Sequence, residues 1–291
     1  MAAVAALLLA GCTYVQDPAP SEAPLRPVTP SEGGGAAWRR LAPAPSERTE
    51  VAAAAVGRRI WVLGGYAPDG ATLATAEVYD TVANTWSRGP DLPVAVNHAM
   101  AATLDGVLYV AGGNDGRRPS DQVARLDGDR WRRLAPLPQG RQAGGLVALD
   151  GRLYLVGGVV EGGLASDTQV YDRTADRWAP APGLPTPREH LGAAAARGRV
   201  YVVGGRTGGI GSNLGAAGGQ VAAVGGEAAA TFPEAEALDT RSGRWRSLPP
   251  LPTPRHGLGV VAVGEVVYVL AGGPRPGLHT SAANEAIDLS S

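Results

Sequence analysis

Five tryptophans stand at a fixed distance from five glycine pairs, and that spacing decides most of what the chain can become. Trp38, Trp86, Trp131 and Trp178 each precede the first glycine of a pair by 26 residues; the pairs are Gly64-Gly65, Gly112-Gly113, Gly157-Gly158 and Gly204-Gly205. Trp245 precedes Gly272-Gly273 by 27, with Ala271 read as one extra residue. Self-similarity at a period of roughly 20–50 residues marks a repeat architecture, and missing it misassigns the whole fold.

Within each repeat the apolar runs are short. Ile60 to Leu63, Leu108 to Ala111, Leu153 to Val156, Val200 to Val203 and Val267 to Ala271 each end at a glycine pair. They are β-rich and too short for helices, so each reads as a buried strand. Tyr sits three residues before the pair in the middle three; Trp61 takes that place in the first run, and Tyr268 is offset by one in the last. Ahead of these runs lie small-residue strands such as Ala52 to Ala55, Ala99 to Ala102 and Gly192 to Ala196. After the pairs come segments that close on Asp at a turn: Glu77 to Asp80, Val123 to Asp127, Gln169 to Asp172 and Glu236 to Asp239. Each repeat therefore has four strands: A of small residues, B ending in Gly-Gly, C ending in Asp, and D carrying Trp. Four short strands per unit of about 47 residues is the pattern of a propeller blade. Small residues suit strand A where blades crowd the axis, and Trp on strand D would cover the joint between blades. Composition agrees, since 42 Gly and 24 Pro in 291 residues oppose long helices.

The repeat begins on strand D at Trp38 to Leu41 and ends on strand C at Asn284 to Asp288. The last blade would then take A, B and C from the C-terminal side and D from the N-terminal side, closing the ring without a free edge. Glycine-pair spacings are 48, 45, 47 and 68, and Val221 to Gly226 is a further B-like strand. Two readings stand. One is a six-blade template with one incomplete blade, having lost C and D of the fourth and A of the fifth near 212–218. The other is five blades with a Gly-rich B–C insertion. Under both, residues 206–233 are expected to be the least regular part of the domain.

These markers resemble the kelch-repeat family: Gly-Gly closing strand B, Tyr before it, Tyr-Asp after it and Trp beyond. Leu-Pro-Thr-Pro-Arg at 184–188 and 251–255 matches as well, and the resemblance covers residues 38–289. It implies an all-β kelch propeller, with a fold like the central domain of galactose oxidase, that takes ligands on the face of its D–A and B–C loops. On that face the D–A turns supply Arg48, Arg141, Arg188 and Arg255, with His98, His190 and His256 at or beside one repeat position. Such a ring would suit an anionic or sugar-like ligand; the bland alternative is that the arginines bond loop carbonyls. B–C loops add Asp69, Asn114, Asp115, Arg117, Arg118, Glu161, Arg206, Arg275 and His279. The strand C aspartates read as turn caps. The four histidines have no local metal-ligand spacing, so no metal is expected from spacing, and a ring-assembled site is the minor alternative. No cofactor is expected.

The N-terminal segment reads as an address. Ala2 to Ala10 is an apolar run too short to span a bilayer, which takes about 20 residues. It fits a signal peptide over residues 1–11, and Leu9-Ala10-Gly11-Cys12 resembles the bacterial lipobox, which implies a lipid on Cys12. No basic residue precedes the run, which suggests a start further upstream. Residues 12–37 carry five prolines and Gly33-Gly34-Gly35 and read as a linker. The expectation is an extracytoplasmic protein of a bacterial envelope, held to the membrane by its lipid alone.

Two functions follow, a binding propeller for a protein or glycan and, as the alternative, a carbohydrate-active enzyme of the sialic acid mutarotase type. Net charge is −1, and nucleic acid is not an expected partner. All 26 basic residues are Arg, which removes Lys-dependent catalysis. Cys12 is the sole cysteine, which excludes the Cys-crosslinked copper chemistry of galactose oxidase.

Overall fold

A computed structural model of the protein describes residues 37–290, apart from 197, 207–210, 218–219, 228–229, 240 and 243; at 211–217 and 245 it describes the backbone alone. The expected signal peptide, Cys12 and all of the linker but residue 37 lie outside the described residues.

Every regular element described is a strand. The first is β1 (Arg39–Arg40). The next blade comprises β2 (Ala52–Val56), β3 (Arg59–Leu63), β4 (Ala76–Asp80) and β5 (Thr85–Arg88). A second comprises β6 (Met100–Leu104), β7 (Val107–Ala111), β8 (Val123–Asp127) and β9 (Arg130–Arg133). The third has β10 (Gly145–Leu149) and β11 (Arg152–Val156), a small hairpin of β12 (Val159–Val160) and β13 (Gly163–Leu164), then β14 (Thr168–Asp172) and β15 (Arg177–Ala181). There follow β16 (Glu189–Ala196) and β17 (Arg199–Arg206), then β18 (Gly211–Ala217), β19 (Gln220–Glu227), β20 (Ala235–Asp239) and β21 (Arg244–Ser247). The last three are β22 (Gly259–Val263), β23 (Val266–Leu270) and β24 (Asn284–Asp288).

Five sheets have four antiparallel strands each, giving a five-bladed propeller. The hairpin β16–β17 forms a two-stranded sheet of its own. The blade count is that of the five-blade reading, while the place of the extra residues differs from it. β20 pairs with β19 rather than with β17, so no single blade carries a long insertion. The inner strand expected to be lost is present as β18, whose Gly, Ser and Ala residues match the small-residue pattern of the other inner strands. Thus 206–233 holds two of the longer strands among its described residues. Inner strands β2, β6, β10, β16, β18 and β22 adjoin in sequence, and β22 adjoins β2 again, completing a ring about the axis.

Hairpin chemistry explains the A–B connections. Asp105-Gly106 and Asp150-Gly151 both have positive φ at both residues, the type I′ turn that matches strand twist. The core lies between blades. Ala52, Ala54 and Leu63 of one blade pack on Leu108, Val110 and Ala124 of the next. Ile60, Val62 and Tyr79 pack on Val261, Tyr268 and Leu270. A single blade has two apolar faces and can bury them only against its neighbours.

Polar contacts stitch the same joints. Trp86 Nε1 donates to Ala42 O at 2.8 Å, Trp131 Nε1 to Pro90 O at 2.9 Å, and Trp178 Nε1 to Ala135 O at 3.1 Å. In five of the six B strands the second residue of the pair donates its N–H to the D–A turn of the following blade: Gly65 to Val96 O, Gly113 to Arg141 O, Gly158 to Arg188 O, Gly226 to Arg255 O and Gly272 to Arg48 O, at 2.8–3.1 Å. A Cβ on Gly64 or Gly112 would stand 2.1 Å from the next blade's carbonyl, which explains the glycine. In the last blade Ala271 and Gly272 occupy this pair's place, with φ of 56° and 95° against 61° and 92° at Gly64 and Gly65. Ala271 is therefore not an extra residue; Trp245 precedes it by the same 26, and Tyr268 falls into the common position.

The ring closes as expected. β1 pairs with β24 through Arg39 with Ala286 and Arg40 with Glu285. Trp38 Nε1 donates to Pro249 O at 2.7 Å and its ring packs on the adjacent core. Replacing Trp38 by Ala should destabilise the propeller by about 2–3 kcal/mol, through lost packing and an orphaned carbonyl. Trp38→Phe should cost roughly half as much. Urea denaturation midpoints check both; equal midpoints for wild type and Trp38→Ala would show that the joint contributes nothing.

Candidate functional site

Five of the D–A turns among the described residues repeat a three-residue pattern at the entry to an inner strand, and the third residue of each has a left-handed backbone. Glu50, His98, Ala143, His190 and Gly257 have φ of 54°, 51°, 55°, 48° and 57°. Left-handed φ is uncommon for residues other than Gly. Here the turn demands it, since Ala143 adopts it with no polar group to place. The backbone also links these residues around the axis. His98 N donates to Glu50 O at 2.9 Å, Ala143 N to His98 O at 2.9 Å and His190 N to Ala143 O at 2.7 Å. Together with the residue that follows each, the five line a cavity of about 70 Å³ at the channel mouth.

The turn thus brings Glu50, His98 and His190 together. His98 Nε2 lies 3.3 Å from Glu50 Oε2 and His190 Nε2 lies 3.8 Å from it. The two imidazoles meet edge to face, with centroids 4.8 Å apart. His256, one place earlier in its turn, presents Nδ1 to Glu50 Oε1 at 3.4 Å and Nε2 to Glu227 Oε2 at 3.5 Å. Around them, His190 Nδ1 contacts the Glu189 carboxylate, and Arg206 reaches both Glu189 and Glu227 at 3.6 Å.

The environment separates the three histidines. Burial pushes His98 below the ordinary imidazole range, with Glu50 opposing. Burial likewise pushes His190 down to about 3 against the pull of Glu50. For His256 burial also acts downward, but the hydrogen bond and charge of Glu50 and the charge of Glu227 outweigh it and raise the group. Burial alone would raise Glu50; His98, His256 and His190 outweigh it and hold the carboxyl well below the usual range. The mouth therefore favours neutral imidazoles at His98 and His190, while the carboxylates beside His256 favour its charged form.

The arginines are placed differently. Arg48 is buried against Glu77 at 3.1 Å and donates to Gly64 O and Thr75 O. Arg141 is buried against Asp167 at 2.6 Å. Arg255 is wholly buried, bound to Glu285 at 2.6 Å and donating to Ala271 O, Val269 O and Thr253 O. Arg188 donates to Gly204 O and Thr186 O. Strand C, or the residue just before it, supplies the carboxylate in the first three cases. Arg188 heads the β16–β17 sheet, which has no third strand among the described residues, and it bonds only carbonyls there. The expected ring of seven ligand-facing residues is thus corrected: three histidines converge at the mouth, while the four arginines turn into the blades and brace them. The sequence reading did not include Glu50, Glu189 and Glu227. Aligning the repeats on strand A would have put Glu50 in one column with His98 and His190.

Four of the strand C aspartates cap turns, with Asp288 Oδ1 accepting from Ser290 N, while Asp127 pairs instead with Arg125 at 3.6 Å. Asp80 Oδ1 accepts from Val82 N and Ala83 N, Asp172 from Thr174 N and Ala175 N, and Asp239 from Arg241 N and Ser242 N.

Two outcomes follow for the braces. Arg255→Ala leaves Glu285 buried and unpaired and should cost about 3–5 kcal/mol, and Arg255→Lys should recover little because an ammonium lacks the planar fork. Urea midpoints of the two variants test this. Arg141 and Asp167 give a pH signature. Burial would raise the Asp167 carboxyl, but the Gln169 hydrogen bond and the Arg141 charge hold it below the ordinary value. A depressed carboxylate contributes stability present above its unfolded value and lost as pH falls through the folded one. Asp167→Asn should therefore show a smaller loss of stability between about pH 4 and 2 than wild type, read from urea midpoints across that range.

Residues 51–273 match the family model of the KLHDC2/KLHL20/DRC7 Kelch-repeats domain. The chain is 35% identical over 135 residues to Kelch-like protein terF of Aspergillus terreus, covering 42% of this chain and 29% of that one. It is 28% identical over 145 residues to beta-scruin of Limulus polyphemus, covering 46% and 16%. Kelch-like protein 25 of Homo sapiens is 31% identical over 125 residues, covering 39% and 21%. The chain thus matches less than a third of the length of each of these relatives. With its propeller, its glycine pairs and its interblade tryptophans, the chain belongs to the Kelch-repeat family.

Proposed function

We propose that the propeller is a binding module that takes a protein partner on the rim of its B–C loops. What carries this reading is the continuity of that rim. Leu278 Cδ2 of the closing blade comes 3.3 Å from where a Cβ on Gly70 of the first blade would stand. Gly116 of the second blade similarly faces Thr72 Oγ1. Three neighbouring blades therefore present one surface, with Leu278 an exposed large apolar side chain and Arg117 and Arg118 exposed beside Asp115. A small apolar group within a charged rim suits a protein surface. The relatives that share the repeat carry Kelch-like names, which supports the same reading.

A glycan has less support. The cavity at the mouth is about 70 Å³, against roughly 300 Å³ or more for pockets that enclose a small-molecule ligand. A mutarotase acting on an anionic sugar would need free cations there, and Arg48, Arg141 and Arg255 are held inside the blades. We propose further that Cys12 carries the lipid which holds the module on the outer side of a bacterial membrane; the short apolar run ending in Leu-Ala-Gly-Cys supports this.

One experiment tests both parts. The full chain is expressed in a bacterium, crosslinked in intact cells and fractionated. Wild type should sediment with membranes and crosslink to protein, and Cys12→Ser should leave the membrane fraction. The triple variant Arg117→Glu, Arg118→Glu, Leu278→Asp should stay on the membrane and lose its crosslinks. Unchanged crosslinks in the triple variant would sink the rim, and unchanged sedimentation of Cys12→Ser would sink the anchor.

A further inference from the structure

We propose that Glu50, His98 and His190 bind one divalent transition-metal ion at the mouth of the central channel. The inference is independent of the partner-binding reading. It starts from geometry. One donor atom from each residue lies within 4.8 Å of the other two, with His98 Nε2 and His190 Nε2 at 3.3 Å and 3.8 Å from Glu50 Oε2. Bonds of about 2.0–2.2 Å to one ion place neighbouring donors roughly 3–3.5 Å apart, so the two His–Glu50 pairs need to contract by about half an ångström at most, and the two imidazole donors, within 4.8 Å of each other, draw together to complete the site. All three residues come from the same turn position, and a hydrogen-bonded backbone holds them at one height on the axis.

Proton placement points the same way. His98 Nδ1 lies 2.6 Å from Asn97 Oδ1, and Asn97 in turn donates Nδ2 to Thr72 Oγ1. An amide oxygen only accepts, so the His98 proton sits on Nδ1 and its Nε2 lone pair faces a carboxylate at 3.3 Å. At His190 Nδ1 lies against the Glu189 carboxylate, and Nε2 faces Glu50 at 3.8 Å. Two lone pairs and a carboxylate converging on one point need a cation between them. One ion satisfies all three donors, whereas one proton satisfies a single pair. The outer contacts of each imidazole, to Asn97 and to Glu189, are those that commonly fix the ring and tautomer of metal-bound histidine.

Charge agrees. Three carboxylates, Glu50, Glu189 and Glu227, stand around the mouth, with Arg206 reaching the outer two. Two imidazoles with one carboxylate select zinc or ferrous ion over calcium or magnesium. The cavity of about 70 Å³ leaves room for water or an incoming ligand at the remaining positions, the open coordination of a working rather than a closed structural site.

The test uses the untagged full chain, stripped with chelator and dialysed against zinc. Elemental analysis should give one zinc per chain, and cobalt in its place should give visible absorption bands of low-symmetry coordination. His98→Asn, which keeps a residue tolerant of the left-handed turn, and Glu50→Gln should each weaken zinc binding by about tenfold or more, with cobalt bands lost. Metal-free urea midpoints of the variants verify folding, and His190→Asn replaces either one that fails to fold. Zinc should also raise the wild-type melting temperature and leave the variants unmoved. Wild-type protein that takes up no zinc, or variants that bind it as wild type does, would overturn the assignment.

Discussion

The hydrogen bonds that pass from one D–A turn to the next around the channel mouth are the constraint on which the rest of this molecule depends. Each joins an N–H to the carbonyl of the preceding turn, from Glu50 through His98 and Ala143 to His190. To make them, the third turn residue must enter the left-handed region, a conformation that Gly accepts freely and other residues adopt at a cost. The chain accepts that cost at Glu50, His98, Ala143 and His190. In return these four turns are tied to one another, and the side chains at those positions line one axial cavity. Architecture and site are therefore one device. A residue type placed in that column is delivered to the mouth whatever its chemistry.

The arginines show the complementary lesson. A basic residue that recurs once per blade at the ligand-binding end of a propeller looks like a recognition element. Its recurrence has another cause here. The Arg carbonyl receives an N–H from the preceding blade's glycine pair, and three of the four guanidinium groups reach the pair of their own blade. The same residue thus fixes both sides of a joint, and a carboxylate from the strand C side neutralises it at Arg48, Arg141 and Arg255. Among the described residues the sheet of Arg188 has two strands, and no strand C carboxylate meets its guanidinium there.

The fold was largely legible because propeller geometry is written in distances along the chain. A constant step from Trp to the glycine pair reflects a fixed number of residues from outer strand to inner strand and back out. Its one irregularity vanished once φ placed Ala271 in the first glycine's position. β18 was harder to see, because Gly, Ser and Ala carry little apolar periodicity and its neighbouring strands sit in a Gly-rich stretch. The site was half legible. His98, His190 and His256 stood out as rare residues in repeated places, yet Glu50 sat in the same column unnoticed among many exposed acids. Glu189 and Glu227 carry no sequence signal at all; β17 and β19 bring Arg206 and Glu227 to the mouth only through pairings that the 206–233 segment obscures.

Closure by β1 has a consequence for the order of events in the life of the chain. Arg39 finds its partner in Ala286, and Arg40 in Glu285. β1 emerges from the ribosome well before β24 and therefore waits, unpaired, until the blade that holds β22 to β24 has been made. Blades of consecutive strands can assemble as they appear, since their contacts are local. The joint between β1 and β24 cannot, and its long loop closure is deferred until β24 has been made. Until then both outer blades keep an apolar face in water, and the growing propeller is an open arc whose two ends are its stickiest surfaces.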